Sequence, residues 1–264
     1  MKSDRKANYE RDGFISPVRI VDEATAREER RTLEWAESEL GSMHYIDKVH
    51  TVLTSAMELA THHNALDVVE ACIGPDILLY NTTYIIKEPG SAAHVAWHQD
   101  LTYWGLSDPH AQVSMWLALA PATKASGCMT MIPGSHLLGQ LEHAPSGNDH
   151  NVLLLDQHIA SLDTTGQVPC ELHPGEASFH HGWTQHSSGP NVSDDRRIGL
   201  NVQYLAPHSR QANERGSAIL VRGEDRFDHF GIDRAPETDL EPNAVAEWRA
   251  LDDAMKQGFK HDPK

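Results

Sequence analysis

The sequence predicts a mainly β fold with flanking helices, built as a sandwich or a barrel. Two observations support this prediction. Between Ile77 and Leu205 the chain carries repeated β-branched and aromatic stretches, each four to ten residues long and bounded by Gly, Pro, Asp or Ser. Helical periodicity is found before and after this region. At 264 residues and 39% hydrophobic content the chain is long enough for one large domain.

Helical periodicity predicts the elements at both ends of the chain. In the first segment Asp22 supplies an N-cap oxygen, the run EATAREERRTLEWAESEL contains good helix formers, and Gly41 ends the helix. A second segment has apolar residues at helical spacing, and a third, PNAVAEWRALDDAMKQGF, is amphipathic. The predicted helices span about 23–40, about 50–73 with a break near 62–64, and about 242–259.

Six segments between the helices have the composition of strands. They are ILLYNTTYII, VAWHQDLTYW, AQVSMWLALA, GCMTMIPGS, GEASFHHGW and RIGLNVQYL. Residues 140–172 are polar and rich in Asp and His, which indicates a long excursion over the sheet of the kind that often forms a lid. The expected organisation is one domain, 1–264, with helices in 1–75, a β core in 76–206, and a tail with a helix in 207–264.

Charge and apolar content argue against several classes of partner. Lys and Arg number 22 and Asp and Glu number 38, so the formal net charge is −16, which disfavours nucleic acid and anionic membranes. No apolar run has the length of a signal peptide or a membrane span. Three cysteines without a C-x-x-C spacing indicate neither a disulfide framework nor a thiolate zinc site. We therefore expect a cytoplasmic protein that binds neither nucleic acid nor a membrane.

One pair of polar residues suggests a metal site. His98 and Asp100 stand one residue apart in HVAWHQDLTYW, and on a strand both side chains would project to the same side. A third ligand is expected downstream, where GEASFHHGWTQHSSGPN contains His180, His181 and His186. If this piece is extended, His180 and His186 share one face and His181 takes the other. Two histidines and one carboxylate form a facial triad, which leaves three positions open on an octahedral iron.

The order of these residues resembles the phytanoyl-CoA dioxygenase family of Fe(II)- and 2-oxoglutarate-dependent oxygenases. The resemblance lies in His98-x-Asp100 followed by HSSGPNVSDDRR, with an arginine eleven residues after His186. DGF near the start and GSH at 134–136 extend it over most of the chain. The resemblance implies a double-stranded β-helix, which is a cupin-like jelly roll with supporting helices.

The resemblance also implies a role for each matching residue. Arg197 corresponds to the residue that pairs with the distal carboxylate of 2-oxoglutarate, and Ser188 and Trp116 match further contacts to this co-substrate. A planar guanidinium is the preferred bidentate partner for such a carboxylate. The implied cofactors are Fe(II), 2-oxoglutarate as co-substrate and O2. The iron ligands are matched by His98, Asp100 and His186.

The implied reaction is hydroxylation of an unactivated carbon of a small-molecule substrate, with release of succinate and CO2. Halogenating relatives replace the carboxylate of the His-x-Asp pair with a small residue, and because Asp100 is present, a hydroxylase is favoured over a halogenase. No basic cluster marks a site for the phosphates of coenzyme A. The residues expected to frame the substrate pocket are Tyr80, Tyr103, Trp104, Gln112, His136 and Asn201.

Two other functions are compatible with the same ligands. The site could hold Zn(II) or Ni(II) in a cupin-type hydrolase or isomerase. Most sites of this kind bind divalent metals in the same order of affinity, so the ligand set alone does not select the metal. Arg197 argues against this function because a hydrolase does not need an anchor for a keto acid. A non-catalytic binding module on the same fold is the other alternative, and the intact triad argues against it. The sequence leaves the identity of the substrate and the oligomeric state open.

Overall fold

The computed structural model describes residues 2–153, 156–212 and 216–260. The α-helices in these ranges are α1 (Lys2–Asp12), α2 (Glu23–Leu40), α3 (Thr54–Ala60), α4 (His63–Ile73) and α5 (Pro242–Lys260). The strands in these ranges are β1 (Phe14–Arg19), β2 (Ile77–Lys87), β3 (Val95–His98), β4 (Gln112–Ala118), β5 (Met129–Met131), β6 (His143–Pro145), β7 (Gln157–Ile159), β8 (Val168–Cys170), β9 (Glu176–His181), β10 (His186–Ser188), β11 (Arg197–Leu205), β12 (Ser217–Arg222) and β13 (Gly231–Ile232).

Most of these strands belong to two sheets that enclose a cavity. The large sheet has the order β1-β9-β4-β11-β2-β12-β13, and the small sheet has the order β3-β10-β5-β8. β6 and β7 pair with each other inside the predicted 140–172 excursion. Residues from both sheets and from this excursion line the cavity. The predicted mainly β fold, a jelly roll with flanking helices, is confirmed.

The two faces of the large sheet have different environments. Tyr84 of β2 and Leu200 of β11 are fully buried in the main apolar core, together with Leu33 of α2. Their neighbours Thr83 and Asn201 line the cavity, because successive side chains on a strand point to opposite faces. The helices therefore stabilise one face of the sheet, and the other face is left for binding.

The predicted helices agree with the structure. α2 begins after Asp22, whose Oδ1 accepts a hydrogen bond from the Thr25 backbone N–H at 2.8 Å. The second predicted helix is broken where expected, since α3 ends at Ala60 and α4 begins at His63. α1 and β1 were not predicted, because α1 is mostly exposed and carries little apolar periodicity, with Tyr9 as its buried aromatic residue.

Two predicted strands need correction. β3 ends at His98, and Asp100 begins a short 3-10 helix (Asp100–Tyr103). Gln99 between them is itself extended (φ −126°, ψ 129°), and its side chain donates two hydrogen bonds at 2.8 Å to the carbonyls of Gly139 and Trp183. The strand is therefore shorter than predicted, but one extended residue still places His98 and Asp100 on the same side, where His98 Nε2 and Asp100 Oδ1 are 3.3 Å apart.

The histidine-rich segment is also divided rather than continuously extended. β9 ends at His181, and the Thr184 N–H donates to the His181 carbonyl at 2.8 Å, which closes a turn. β10 then begins at His186 in the small sheet, whereas His180 lies in the large sheet. The two histidines reach the cavity from opposite sheets.

Two observations concern membrane insertion and the cysteines. Among the described residues, no helix combines the length and the apolar content needed to cross a bilayer. Cys72, Cys128 and Cys170 are free thiols. The cytoplasmic location expected from the sequence stays a prediction.

Candidate metal centre and co-substrate pocket

The cavity between the sheets has a volume of about 410 Å³. This volume lies within the range of small-molecule sites, which is roughly 300–1,000 Å³. One end is closed by Arg197 of β11, and the small sheet contributes His98 and His186 to its wall. Val152 and Leu153 of the 140–172 excursion also line it, which agrees with the predicted position of that segment next to a binding site.

His98, Asp100 and His186 form a compact group of metal-binding atoms. One candidate ligand atom of each residue lies within 4.8 Å of the others. Asp100 Oδ1 is 3.3 Å from His98 Nε2 and 3.4 Å from His186 Nε2. Register between the strands produces this grouping, since His186 of β10 is the direct Cα partner of His98 of β3.

The two imidazoles are held with Nε2 towards the cavity. Nδ1 of His98 lies 2.9 Å from the Ala96 carbonyl, and Nδ1 of His186 lies 2.9 Å from the Thr184 carbonyl. A carbonyl only accepts, so each Nδ1 carries the proton and donates it, and each Nε2 keeps a lone pair. Metal-bound histidines commonly have this orientation.

The charge state of the group also suits a metal. Burial, and then the proximity of His98, lower the pKa of His186 to about 3, so its ring is neutral near pH 7. Burial alone would raise the pKa of Asp100, but its interactions with His186, His180 and His98 outweigh it and hold this pKa well below its usual value. The group therefore offers two imidazole nitrogens and one carboxylate, which is a donor set that a divalent cation can bind.

The second oxygen of Asp100 is fixed by the large sheet. Asp100 Oδ2 is 3.1 Å from His180 Nε2 and accepts a hydrogen bond from Ser114 Oγ at 3.0 Å. Ser114 Oγ in turn accepts from Gln112 Nε2 at 2.8 Å. These contacts leave Oδ1 directed at the two histidines. The contact between His180 and Asp100 joins residues 80 positions apart, so spacing could not reveal it, although the histidine-rich segment had drawn attention to His180.

Arg197 is a buried cation that forms no ion pair with a carboxylate in the described part of the chain. Its side chain is only 1% exposed, and its Nε and Nη1 atoms have no hydrogen-bond partner among the described residues. Nη2 contacts Ser188 Oγ at 3.4 Å, and the guanidinium lies 4.9 Å from the centre of a Trp116 ring. Burial lowers the pKa of Arg197 to about 10, which leaves it charged near pH 7. The structure thus brings together all three residues that the resemblance associates with the co-substrate.

Lys87 is a further residue of this region that sequence reasoning missed. It is the cross-strand partner of Arg197, and its Nζ donates to Ser188 Oγ at 2.7 Å. Burial, and then the charge of Arg197, lower the pKa of Lys87 to about 6. Lys87 stands one residue past the predicted end of its strand, so only the pairing register could have placed it beside Arg197.

The six expected pocket residues divide into three groups. Trp104 and Asn201 line the cavity. The side chain of Tyr103 lies outside the described part of the structure. The others are outside the cavity lining and correct the expectation: Tyr80, Gln112 and His136.

Each of these three side chains is directed elsewhere for a physical reason. Tyr80 stands beside a register shift of β2 and packs 5.1 Å from the ring of Trp104. Gln112 lies under the metal-binding group, where it donates to Ser114. His136 belongs to a short 3-10 helix (Ser135–Leu138) and contacts the Glu10 carbonyl at 3.2 Å.

Polar residues at the end of the cavity away from Arg197 were also missed. Asp47 belongs to the loop after α2, and Asn81, Thr83 and Gln203 belong to β2 and β11. Period-two spacing could have identified Gln203 from Asn201, because both are on the same face of β11. Asp47 has no such signal in the sequence, since it lies between two helical segments.

Comparisons with known proteins agree with this site. A model of the family described as phytanoyl-CoA dioxygenase (PhyH) matches residues 9–199. Phytanoyl-CoA dioxygenase 1 from Oryza sativa subsp. japonica is 34% identical over 122 residues, which are 46% of this chain and 42% of that protein. The chain thus spans less than half of this relative. Methylphosphonate hydroxylase from Gimesia maris is 25% identical over 210 residues, which are 74% of this chain and 76% of that protein.

A solved structure matches nearly the whole chain. The apo form of ThoJ, a non-heme monooxygenase, is 30% identical, with a TM-score of 0.87 and 98% of both chains covered. The double-stranded β-helix is therefore confirmed. Fe(II), 2-oxoglutarate and O2 are the cofactors of the matched family, and the group of His98, Asp100 and His186 has the donor set that such an iron site requires. The chain belongs to the phytanoyl-CoA dioxygenase family of Fe(II)- and 2-oxoglutarate-dependent oxygenases.

Proposed function

We propose that this protein is a dioxygenase that hydroxylates an unactivated carbon of a small-molecule substrate and releases succinate and CO2. In this proposal His98, Asp100 and His186 hold Fe(II), which supplies the chemistry of O2 activation when bound. Asp100 fills the position that halogenases leave to chloride, so hydroxylation is favoured over halogenation.

The unpaired guanidinium of Arg197 is the observation that carries the proposal. An isolated charge in the protein interior is expensive unless an opposite charge accompanies it. Arg197 is 1% exposed, and two of its nitrogens have no partner among the described residues. The distal carboxylate of 2-oxoglutarate is the anion that would satisfy these donors in a bidentate pair. Ser188 and Lys87 would complete the same subsite.

The chain's own residues would control the geometry of the reaction. Ser114 and His180 hold Asp100 Oδ2, so the carboxylate would bind the metal through Oδ1 alone. Trp116 flanks the guanidinium of Arg197 and keeps it directed along the cavity. Apolar residues of the excursion, Val152 and Leu153, would exclude water from the reacting carbon.

The same observation separates this function from the alternatives. A Zn(II) or Ni(II) hydrolase would use the triad but would have no use for a buried cation at the end of the pocket. We further propose that residues 1–264 act as one oxygenase domain. This proposal is supported by the apolar core that α2, α3 and α4 share with the large sheet. Trp248 of α5 also belongs to this core.

Succinate release tests the proposed function. With Fe(II), 2-oxoglutarate and O2, the wild-type protein should convert 2-oxoglutarate to succinate, and a substrate should gain one oxygen atom from labelled O2. Arg197→Leu should require much more 2-oxoglutarate. Arg196→Leu is a matched control, because Arg196 is directed to the surface, where it pairs with Glu37 at 2.9 Å. Absence of succinate from the wild type under these conditions would contradict the proposal.

A further inference from the structure

The floor of the cavity is graded from cationic to polar along two paired strands. β2 and β11 run side by side from the co-substrate end, which is near the metal-binding group, to the opposite end of the cavity. In this direction the facing residue pairs are Lys87 and Arg197, Ile85 and Gly199, Thr83 and Asn201, and Asn81 and Gln203. Three of these four pairs consist of polar residues, and the side chains of the last two pairs end in amides and one hydroxyl group. Because the co-substrate would occupy the cationic end, the opposite end is left for the substrate.

Asp47 lies over the amide end of this floor. Its Oδ1 accepts hydrogen bonds from Asn81 Nδ2 at 2.7 Å and from Thr83 Oγ1 at 2.6 Å. Oδ2 accepts no hydrogen bond from the described residues, and the side chain lines the cavity. The carboxylate is therefore held through one oxygen, and the other is available to a ligand.

The basic side chains near Asp47 are committed elsewhere. Lys48, the next residue, directs its Nζ to Asp233 at 2.8 Å, and Lys256 binds Asp252 at 2.7 Å. Among the described residues, no lysine or arginine forms an ion pair with Asp47. Burial raises the pKa of Asp47, while the hydrogen bonds from Thr83 and Asn81 oppose this rise. Asp47 is thus a partly desolvated carboxylate without an ion-pair partner among the residues that the structure describes, as Arg197 is a buried cation without one at the other end.

The backbone of Asp47 is held rigidly by α5. Its N–H donates to Asp252 Oδ1 at 2.9 Å, and its carbonyl accepts from Trp248 Nε1 at 2.6 Å. A carboxylate fixed in this way needs little reorganisation to bind a ligand, which favours affinity. The loop after α2 is thus tied to α5 at the residue that lines the cavity.

We propose that the substrate carries a cationic nitrogen that Asp47 binds at the amide end of the cavity. This inference rests on the proposed function, because it assigns the cationic end to 2-oxoglutarate. Gln203 Oε1 accepts from Asn81 Nδ2 at 3.3 Å, and its second lone pair would accept a hydrogen bond from the cationic nitrogen of the substrate. Ser114, which contacts Asp100, pairs with Gln203 in the sheet, and Gln203 pairs with Asn81. The nitrogen would therefore sit about two strand spacings, roughly 10 Å, across the sheet from the metal-binding carboxylate.

The inferred substrate differs from the anions named by some relatives. Methylphosphonate is anionic, and a carboxylate without a counter-ion would repel it. The described residues that line the cavity include two with a lysine or arginine side chain, Arg197 and Lys256. With Arg197 bound to the co-substrate and Lys256 bound to Asp252, no cation would remain for an anionic substrate.

Three matched probes test the charge preference directly. We would measure binding of 2-phenylethylammonium, 2-phenylethanol and 3-phenylpropanoate by ligand-observed saturation-transfer NMR, with 2-oxoglutarate present and without Fe(II) or O2. The wild type should bind the ammonium probe roughly 10- to 100-fold more tightly than the alcohol. Asp47→Asn should abolish this difference, and Asp194→Asn, which removes an exposed carboxylate outside the cavity, should preserve it.

Each outcome has a defined meaning. Equal binding of the ammonium and the alcohol, tighter binding of the carboxylate, no binding of the ammonium, or an unchanged preference in Asp47→Asn would overturn the inference. The comparison of probes on the wild type does not depend on the folding of any variant. Succinate release without an ammonium preference would overturn the substrate class alone. An ammonium preference without succinate release would overturn the proposed function alone.

Discussion

Gly199→Ala should disturb the co-substrate pocket without touching any proposed ligand. Gly199 is the third residue of β11, and a Cβ atom there would stand 2.0 Å from Cζ2 and 2.2 Å from Cε2 of Trp116. Carbon atoms in favourable contact are about 3.5–4.0 Å apart, so the indole must move by about 1.5 Å or more. Trp116 is 2% exposed, and its ring lies 4.9 Å from the Arg197 guanidinium, so the displaced ring must disturb either the core or this cation.

Two magnitudes follow from this geometry. Overpacking of a buried site typically costs about 1–3 kcal/mol in the free energy of unfolding. For a chain of this size each kcal/mol corresponds to about 2–4 °C, so Tm should fall by about 2–12 °C. Loss of the cation–π contact, worth roughly 0.5–2 kcal/mol, should raise the KM for 2-oxoglutarate by about 2- to 30-fold.

Thermal denaturation and succinate release would measure these two effects. Gly189→Ala is a matched control, because a Cβ atom there meets nothing within 4 Å, and neither Tm nor KM should change. In a protein that already carries Trp116→Leu, Gly199→Ala should lower Tm less than it does in the wild type, because the clashing ring is absent. A Gly199→Ala protein with the wild-type Tm and KM would refute the inferred packing of Trp116 between Gly199 and Arg197.

Three further predictions concern other parts of the molecule. His180→Phe removes a contact to Asp100 Oδ2 and should weaken Fe(II) binding by about 10- to 100-fold in a metal titration; unchanged affinity would show that His180 does not orient the carboxylate. Because the pKa of Lys87 is about 6, the amine is mainly neutral at pH 7.5, and binding of the 2-oxoglutarate dianion should raise its pKa and take up a proton. Calorimetry in buffers of different ionisation enthalpy should detect this uptake, and Lys87→Met should lose it. The pKa of Glu29 is raised from 4.5 to about 7, first by burial, so the folded state binds its proton more tightly than the unfolded state. Stability should therefore fall as the pH rises from 4.5 through 7, and in urea denaturation Glu29→Gln should remove up to about 3 kcal/mol of the loss between pH 5 and pH 8. An equal loss in both proteins would contradict that assignment.

Sequence spacing predicted the parts of the site that are local in the chain. Order in the sequence and a resemblance to a known family were enough to propose the His98-x-Asp100 pair. The same holds for Ser188 and Arg197, which follow His186 at fixed distances. The same-face argument for this pair needs only an extended Gln99, which the structure has, although the strand ends earlier than predicted, at His98.

Contacts that depend on register across the sheets could not be predicted in this way. His180 meets Asp100 only when the two sheets face each other, and Lys87 meets Arg197 only when β2 and β11 pair in the observed register. Tyr80 is displaced from the cavity by a register shift in β2, which no composition rule indicates. Asp47 acquires its position from hydrogen bonds to α5, more than 200 residues away, since its carbonyl accepts from Trp248 with a separation of 201. Long-range pairing therefore supplies the substrate end of the pocket.

An anaerobic titration of the apoprotein with Fe(II), and then with 2-oxoglutarate, tests the central claim most directly. The account predicts a visible metal-to-ligand charge-transfer band in the wild type, no band in His186→Ala, and a band in Arg197→Leu that needs much more 2-oxoglutarate. Arg196→Leu should behave as the wild type. A folded wild-type protein that binds Zn(II) but forms no band with Fe(II) and 2-oxoglutarate would contradict the oxygenase assignment and favour the cupin-type hydrolase.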